Sequence, residues 1–222
     1  LKHNLNQVKG FAPDSKVMSV IKANAYGHGD IQVAFALIES DAFAVARLSE
    51  GIQLRQAGIK KNIVLLEGVH NMEQLQLAAE NNLSPVFHNQ SQIDLLSVTE
   101  LIRPLKFCWL MIETGMHRLG ISKAGLAVAL KTLMNSHKIN GEIGVMTHFA
   151  NADKPNDYRN KLQMDKLLES KKIENVTTTV ANSAAIISLP DSHQQWIRPG
   201  VMLYGSSPFP HKTADDLGLK PV

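Results

Sequence analysis

The chain has 222 residues, a formal net charge of +3 and 44% hydrophobic residues, enough apolar surface to fill the core of one large domain or two small ones. Its basic residues are scattered, which argues against a nucleic-acid face or a polybasic membrane patch and favours a small anionic ligand. Cys108 is the single cysteine, which excludes an internal disulfide, and no apolar run reaches the roughly 18 residues that cross a bilayer, so we expect a cytoplasmic protein.

Short apolar runs alternate with longer segments of helical spacing along the whole chain, which opens on a predicted helix over residues 2–10. The eight predicted strands cover residues 17–21, 41–46, 62–66, 84–87, 106–112, 142–148, 175–180 and 196–204. The predicted helices between them cover residues 30–40, 49–57, 71–82, 91–101, 123–135, 158–170 and 183–189. This α/β pattern predicts a (β/α)8 TIM barrel with eight parallel strands, and a doubly wound open sheet is the alternative. No shift in composition marks an internal boundary, so residues 1–222 are predicted to form a single domain.

Polar residues follow several of the predicted strands, at the barrel end where active sites are built. They are Lys22 after the first strand, Arg118 after the fifth, His148 at the end of the sixth, Asn182 and Ser183 after the seventh, and Arg198 in the eighth. An amine directly after an apolar strand is a candidate Schiff-base nucleophile, although a strand-end lysine that reaches water is the simpler interpretation. The glycine-rich loop 23–29 then leads into a helix, where free backbone N–H groups favour a phosphate.

Five segments in this order and spacing resemble the alanine racemase family. The string Ile-Lys-Ala-Asn-Ala-Tyr-Gly-His-Gly at residues 21–29 is similar to the cofactor-lysine signature of that family. The other four are Glu-Thr-Gly-Met-His-Arg-Leu-Gly at 113–120, Met-Thr-His-Phe-Ala-Asn-Ala-Asp at 146–153, Ala-Asn-Ser-Ala-Ala at 181–185 and Arg-Pro-Gly-Val-Met-Leu-Tyr-Gly at 198–205. The resemblance implies an isomerase that interconverts L- and D-alanine, supplies D-alanine for peptidoglycan and works as a homodimer with pyridoxal 5'-phosphate as cofactor.

The same resemblance implies a role for each site residue, and it implies no metal. Lys22 forms the Schiff base with the cofactor and acts as the base for the α-proton of D-alanine. The residues implied to hold the cofactor and its phosphate are Tyr26, Asn182, Ser183, Gly200 and Val201. Arg198 faces the pyridine nitrogen, His148 packs near the ring and hydrogen-bonds to Arg198, and Arg118 contacts the phenolic oxygen and positions the substrate carboxylate.

Under this resemblance, arginine at position 198 affects the protonation of the cofactor ring. A guanidinium does not give up its proton, so the ring nitrogen that it faces stays unprotonated and the ring is a weaker electron sink. That favours reprotonation at the α-carbon over transamination.

The sequence departs from the family pattern in two ways. Many members carry a lysine that becomes carbamylated and steadies the arginine seven residues later, but Met111 occupies that position before Arg118. Members also add a C-terminal β domain that supplies a tyrosine as the second base, and none of the three tyrosines here matches that motif. We therefore expect an excised or truncated barrel domain that binds the cofactor weakly and racemises alanine poorly by itself.

Two other functions fit parts of this pattern. A racemase for another small amino acid, such as serine, or a broad-specificity enzyme would share the cofactor site. A non-catalytic barrel that binds pyridoxal phosphate for cofactor homeostasis has a similar length, but its relatives lack the strings at 23–29 and 198–205.

Overall fold

Eight parallel strands close into a barrel in the computed structural model, which describes residues 1–171 and 176–222. Each strand pairs with the next in chain order, and the first pairs with the eighth. The strands are β1 (Lys16–Val20), β2 (Ala42–Val45), β3 (Asn62–Leu65), β4 (Leu83–Phe87), β5 (Leu105–Met111), β6 (Ile139–Met146), β7 (Thr177–Thr179) and β8 (Trp196–Ile197). The predicted (β/α)8 barrel is therefore confirmed, and the open sheet is excluded.

Helices pack around the outside of the barrel and connect the strands. They are α1 (Lys2–Phe11), α2 (Asp30–Ala36), α3 (Leu48–Gln56), α4 (Met72–Glu80), α5 (Gln90–Val98), α6 (Lys123–Met134), α7 (Tyr158–Lys171) and α8 (Ser183–Ser188). Side-chain amides of Asn71, Asn89 and Asn182 cap α4, α5 and α8, which explains where these helices begin. No helix in the described ranges is both long and apolar enough to cross a membrane.

Most strand residues are buried, because one face of the sheet meets the helices and the other fills the barrel, whereas residues 140–142 at the start of β6 are exposed. Trp109 is fully buried in the barrel interior, and its ring centroid lies 4.9 Å from that of Phe107 and 6.3 Å from that of Trp196. A Cβ at residue 144 would lie 2.4 Å from the Trp109 ring, so this strand position requires Gly144. Phe107 and Trp196 lie near the N-terminal ends of their strands, so this aromatic cluster packs below the C-terminal rim of the barrel.

The ends of two predicted strands were wrong. The predicted strand 196–204 ends at Ile197, because Pro199 has no N–H to donate and residues Val201–Tyr204 form a 3-10 turn. Arg198 therefore follows the eighth strand rather than lying within it. The predicted strand 142–148 begins earlier, at Ile139, and ends at Met146. The predicted strand 175–180 begins at residue 175, which lies outside the described residues, and its described part is Thr177–Thr179.

Candidate active site

A pocket of about 560 Å³ opens at the C-terminal ends of the strands. All nine site residues predicted from the sequence line it: Lys22, Tyr26, Arg118, His148, Asn182, Ser183, Arg198, Gly200 and Val201. They come from connections after β1, β5, β6, β7 and β8, which are far apart in sequence. Closure of the barrel brings them together, since the carboxyl ends of parallel strands share one rim.

Lys22 begins a turn of left-handed backbone, Lys22–Tyr26, directly after β1. The four residues 23–26 all have φ between 52° and 55°, a region that costs L-residues roughly 1–2 kcal/mol each. The carboxylate of Glu50 supports this turn by accepting hydrogen bonds from the backbone N–H of Ala23 at 2.6 Å and from Ala46 and Arg47 at 2.8 and 2.9 Å. Strain of this kind persists where the surrounding structure imposes it, and it concentrates at functional sites.

The glycine-rich loop does not provide the free N–H groups expected from the sequence. The backbone N–H of Gly27 donates to Ala23 and Asn24, and those of His28 and Gly29 donate to Ala25 and Asn24. The backbone N–H of Asp30, at the start of α2, donates to the Asn24 side chain at 3.1 Å. The N–H groups of residues 27–30 are thus already bonded within the loop, and the contribution of the loop to the pocket is to present Lys22 and Tyr26.

Replacing Ala23 by Gly is expected to leave stability unchanged or raise it by about 1 kcal/mol, because glycine adopts positive φ without steric cost. Ala127→Gly is the matched control, since Ala127 is equally exposed but lies in the regular helix α6, where the change costs about 1 kcal/mol. Urea denaturation of both variants measures the two effects. Equal destabilisation by both would show that the left-handed turn carries no strain.

A cradle of hydrogen-bonding groups lines the pocket at the start of α8 and in the 3-10 turn after β8. The Ser183 hydroxyl accepts hydrogen bonds from the backbone N–H of Gly200 at 2.9 Å and of Met202 at 3.4 Å, which ties α8 to the 3-10 turn. Val201 is the first residue of that turn, so its N–H has no partner within the turn. A Cβ at Gly200 would lie 2.8 Å from the Tyr26 hydroxyl, so glycine keeps this space open. The Ser183 O–H and the Val201 N–H are the donors without a partner shown among the described residues, and two such donors at a turn suit a phosphate.

Asn182 lines the same side of the pocket, and its side chain has a structural function. Its Oδ1 accepts a hydrogen bond from the backbone N–H of Ala185 at 3.1 Å and so caps α8. This cap fixes the helix that carries Ser183.

Arg198 is buried beneath the pocket, with 4% of its surface exposed. It donates to the Thr179 hydroxyl at 2.8 Å, the Thr147 carbonyl at 2.5 Å and Nδ1 of His148 at 3.2 Å. Burial and then the charge of Arg118 lower the pKa of Arg198 to about 10, so it remains a cation at neutral pH. Because the guanidinium can only donate, the Nδ1 of His148 must accept, and any proton on the neutral ring is on Nε2.

His148 is a neutral imidazole near pH 7. Burial first, and then the charges of Arg198, Arg118 and Lys22, lower its pKa to about 3. A group with this pKa is a poor general base near pH 7. The geometry therefore assigns His148 to packing and to orienting Arg198 rather than to proton transfer.

Arg118 reaches the rim of the pocket from the loop after β5. Its guanidinium is exposed and forms no hydrogen bond or ion pair with the described residues. The loop itself is well held, because the Glu113 carboxylate accepts hydrogen bonds from the backbone N–H of Gly115 and of His117. Met111 precedes this loop and occupies the position where many family members carry a carbamylated lysine. Its side chain lines the pocket and carries no charge.

The sequence interpretation missed several residues of this site. Thr147 and Thr179 hold Arg198, and His88, Leu66 and Glu67 line the wall opposite α8. His88 follows β4 directly. The criterion that selected Lys22, a polar residue immediately after a strand, would therefore also have selected His88.

Comparisons with known proteins agree with this architecture. A family model described as "Alanine racemase, N-terminal domain" matches residues 1–208. The whole chain is 44% identical to 62% of the alanine racemase of Nitrosococcus oceani and 40% identical to 62% of that of Aeromonas hydrophila. The chain thus spans about 62% of the length of the curated relatives it matches.

Solved structures give the same result. The whole chain superposes on 62% of the biosynthetic alanine racemase of Pseudomonas aeruginosa with a TM-score of 0.95 and 36% identity. It superposes on 65% of the alanine racemase of Acinetobacter baumannii with a TM-score of 0.90 and 38% identity. The likeness therefore covers the entire barrel and extends to sequence as well as fold.

Proposed function

The chain belongs to the family of alanine racemase N-terminal domains, and from that premise we propose that it is the barrel of an isomerase that interconverts L- and D-alanine with pyridoxal 5'-phosphate. The observation that carries the proposal is the placement of Lys22 on the wall of a pocket of about 560 Å³ that is also lined by Ser183 and by Val201 at the start of the 3-10 turn. An amine and a phosphate cradle on one pocket are the two attachments that this cofactor requires.

The residues present fit that cofactor. Lys22 would hold its aldehyde, and Tyr26, Ser183 and the backbone N–H of Gly200 and Val201 would hold its phosphate. Glycine at position 200 supports this assignment, since it lets the Tyr26 hydroxyl lie close to the backbone of the 3-10 turn, where a Cβ would come within 2.8 Å of that hydroxyl. Arg198 would hold the pyridine nitrogen, and because it stays protonated it can donate to that nitrogen without transferring a proton to it.

When bound, pyridoxal phosphate acts as the electron sink that makes the α-proton of the amino acid removable. The Nζ of Lys22 would take and return this proton on one face of the α-carbon. Arg118 would orient the substrate carboxylate by charge-assisted hydrogen bonds. His148, neutral and held by Arg198, keeps the guanidinium in place and transfers no proton.

Racemisation requires a second base on the opposite face of the α-carbon. Of the three tyrosines, Tyr204 donates to the Val20 carbonyl at 3.2 Å, Tyr158 is 72% exposed, and Tyr26 is assigned to the phosphate. We propose that the second base belongs to the part of the relatives' length that this chain does not span, and that residues 1–222 form one cofactor-binding domain. Homodimer formation, cytoplasmic location and the supply of D-alanine for peptidoglycan belong to the same proposal, on the strength of family membership.

Reductive trapping tests the cofactor assignment. The chain is incubated with pyridoxal phosphate, treated with borohydride, digested, and the modified lysine is mapped by mass spectrometry. We expect the adduct on Lys22. Pyridoxal without the phosphate is the matched ligand control and should label Lys22 much less, because it cannot use the cradle at Ser183. An adduct spread evenly over several lysines would refute the proposal.

A further inference from the structure

His88 is a buried histidine at the pocket wall that the proposed mechanism does not use. It follows β4, and only 4% of its surface is exposed. Its Nε2 lies 2.7 Å from the Leu66 carbonyl, and its backbone N–H donates to the Gln92 side chain at 2.7 Å. A carbonyl oxygen can only accept, so Nε2 carries the proton and the ring is held in one orientation.

The other ring nitrogen, Nδ1, is buried and has no hydrogen-bond partner among the described residues. Burial first, followed by the charges of His70 and Arg118, lowers the pKa of His88, so the ring is neutral and Nδ1 presents a lone pair. Leaving such an acceptor unsatisfied is unfavourable, because its desolvation is not offset by a hydrogen bond. Buried polar atoms of this kind usually have a partner, and an unpaired one at a pocket wall points to a donor that arrives during function.

The pocket contains a donor that also lacks a partner. Arg118 lines the same pocket as His88, and its guanidinium has neither an ion pair nor a hydrogen bond within residues 1–171 and 176–222. Its positive charge also lowers the pKa of His88, His148 and Arg198.

Two carboxylates also line the pocket: Asp153, which is exposed, and Glu67, which lies 3.8 Å from the Nε of Arg47. His88 differs from both because its acceptor atom is buried, neutral and without a hydrogen-bond partner among the described residues.

We propose that His88 is a positioning residue whose Nδ1 accepts a hydrogen bond from the Arg118 guanidinium and thereby fixes Arg118 for binding the substrate carboxylate. The inference rests on the proposed function, because the role of Arg118 towards a carboxylate comes from it. His88 acts through Arg118 and does not contact the substrate. Because a guanidinium has five N–H donors, Arg118 can bond His88 and still offer a pair of donors to the carboxylate.

Two substitutions separate the two ring nitrogens. His88→Asn places an amide oxygen near the position of Nδ1 and loses the donor to Leu66, whereas His88→Gln keeps a donor towards Leu66 and loses the acceptor at Nδ1. Propionate is the probe, since it carries the carboxylate of alanine without the amine. Its dissociation constant is measured by calorimetry on the chain loaded with pyridoxal phosphate. We expect roughly ten-fold weaker binding for His88→Gln and near-parental binding for His88→Asn.

The Arg118→Leu background decides whether the effect passes through Arg118. There His88→Gln should have no further effect on propionate binding, because the two residues act as one unit. Additive losses, or a larger loss for His88→Asn than for His88→Gln, would overturn the inference and leave His88 with a structural role through Leu66.

Trapping at Lys22 is measured on the same variants to distinguish the two proposals. If it fails in the parent chain, the proposed function fails. If it succeeds in every variant while propionate binding is unchanged, only the inference about His88 fails.

Discussion

Replacement of Lys22 by Met is expected to abolish reductive trapping of pyridoxal phosphate and to slow exchange of the D-alanine α-proton by roughly 10²–10⁴-fold. Lys22 is the only lysine that lines the pocket within the described part of the chain, so no neighbouring amine can replace it. Exchange is followed by proton NMR in deuterium oxide, as the loss of the α-proton signal. The assay suits the chain as it is, because exchange requires one base where racemisation requires two.

Lys16→Met is the matched control for this experiment. Lys16 lies at the N-terminal end of the same strand, β1, where its Nζ sits 5.3 Å from the centroid of the Trp196 ring. Its substitution should leave both trapping and exchange close to the parental values. The parent chain should also exchange D-alanine faster than L-alanine, since Lys22 serves one face only. Persistent trapping or exchange in Lys22→Met would contradict the assignment of Lys22.

The sequence predicted the fold because alternation of strands and helices is a local property of the residues. Predicted and observed elements correspond throughout the described residues, and the differences lie at element ends. The segment Val201–Tyr204 shows why. Its four apolar residues look like a continuation of β8, but Pro199 and Gly200 break the strand, and a 3-10 turn buries the same side chains. Apolar composition alone does not distinguish these two outcomes.

The sequence also predicted which residues line the pocket. Polar residues that directly follow the strands of a parallel barrel lie at the same rim, and this depends only on topology. It did not predict the left-handed turn at residues 23–26, since Asn24 tolerates positive φ but the Ala and Tyr residues around it do not favour it. The turn depends on the Glu50 carboxylate, which is distant in sequence and comes into place only when β2 pairs with β1. The hydrogen bonds of Arg198 and the unpaired Nδ1 of His88 are likewise tertiary features, without any local sequence signal.

Acid is expected to destabilise the chain in a way that depends on His148. The pKa of His148 is about 3 in the folded chain and near 6.5 in the unfolded chain. Between pH 3 and pH 6.5 this ring is therefore protonated in the unfolded chain and neutral in the folded chain. The stability associated with neutral His148 is fully present above pH 6.5 and is lost progressively as the pH falls towards 3. The expected loss is about 1.4 kcal/mol per pH unit, or about 2 kcal/mol at pH 5. Urea unfolding at a series of pH values measures it.

His148→Asn isolates this contribution, because the Asn amide oxygen can accept the hydrogen bond from Arg198 but does not titrate. Its free energy of unfolding should fall less steeply between pH 6.5 and 5 than that of the parent chain. A residual slope of the same sign is expected from His88, whose pKa is also lowered by burial. His211→Asn is the control, since His211 is exposed, and its profile should follow the parent. If His148→Asn retains the full acid slope, protonation of this ring does not drive the loss of stability, and His148 cannot be the neutral partner that holds Arg198 beneath the pocket.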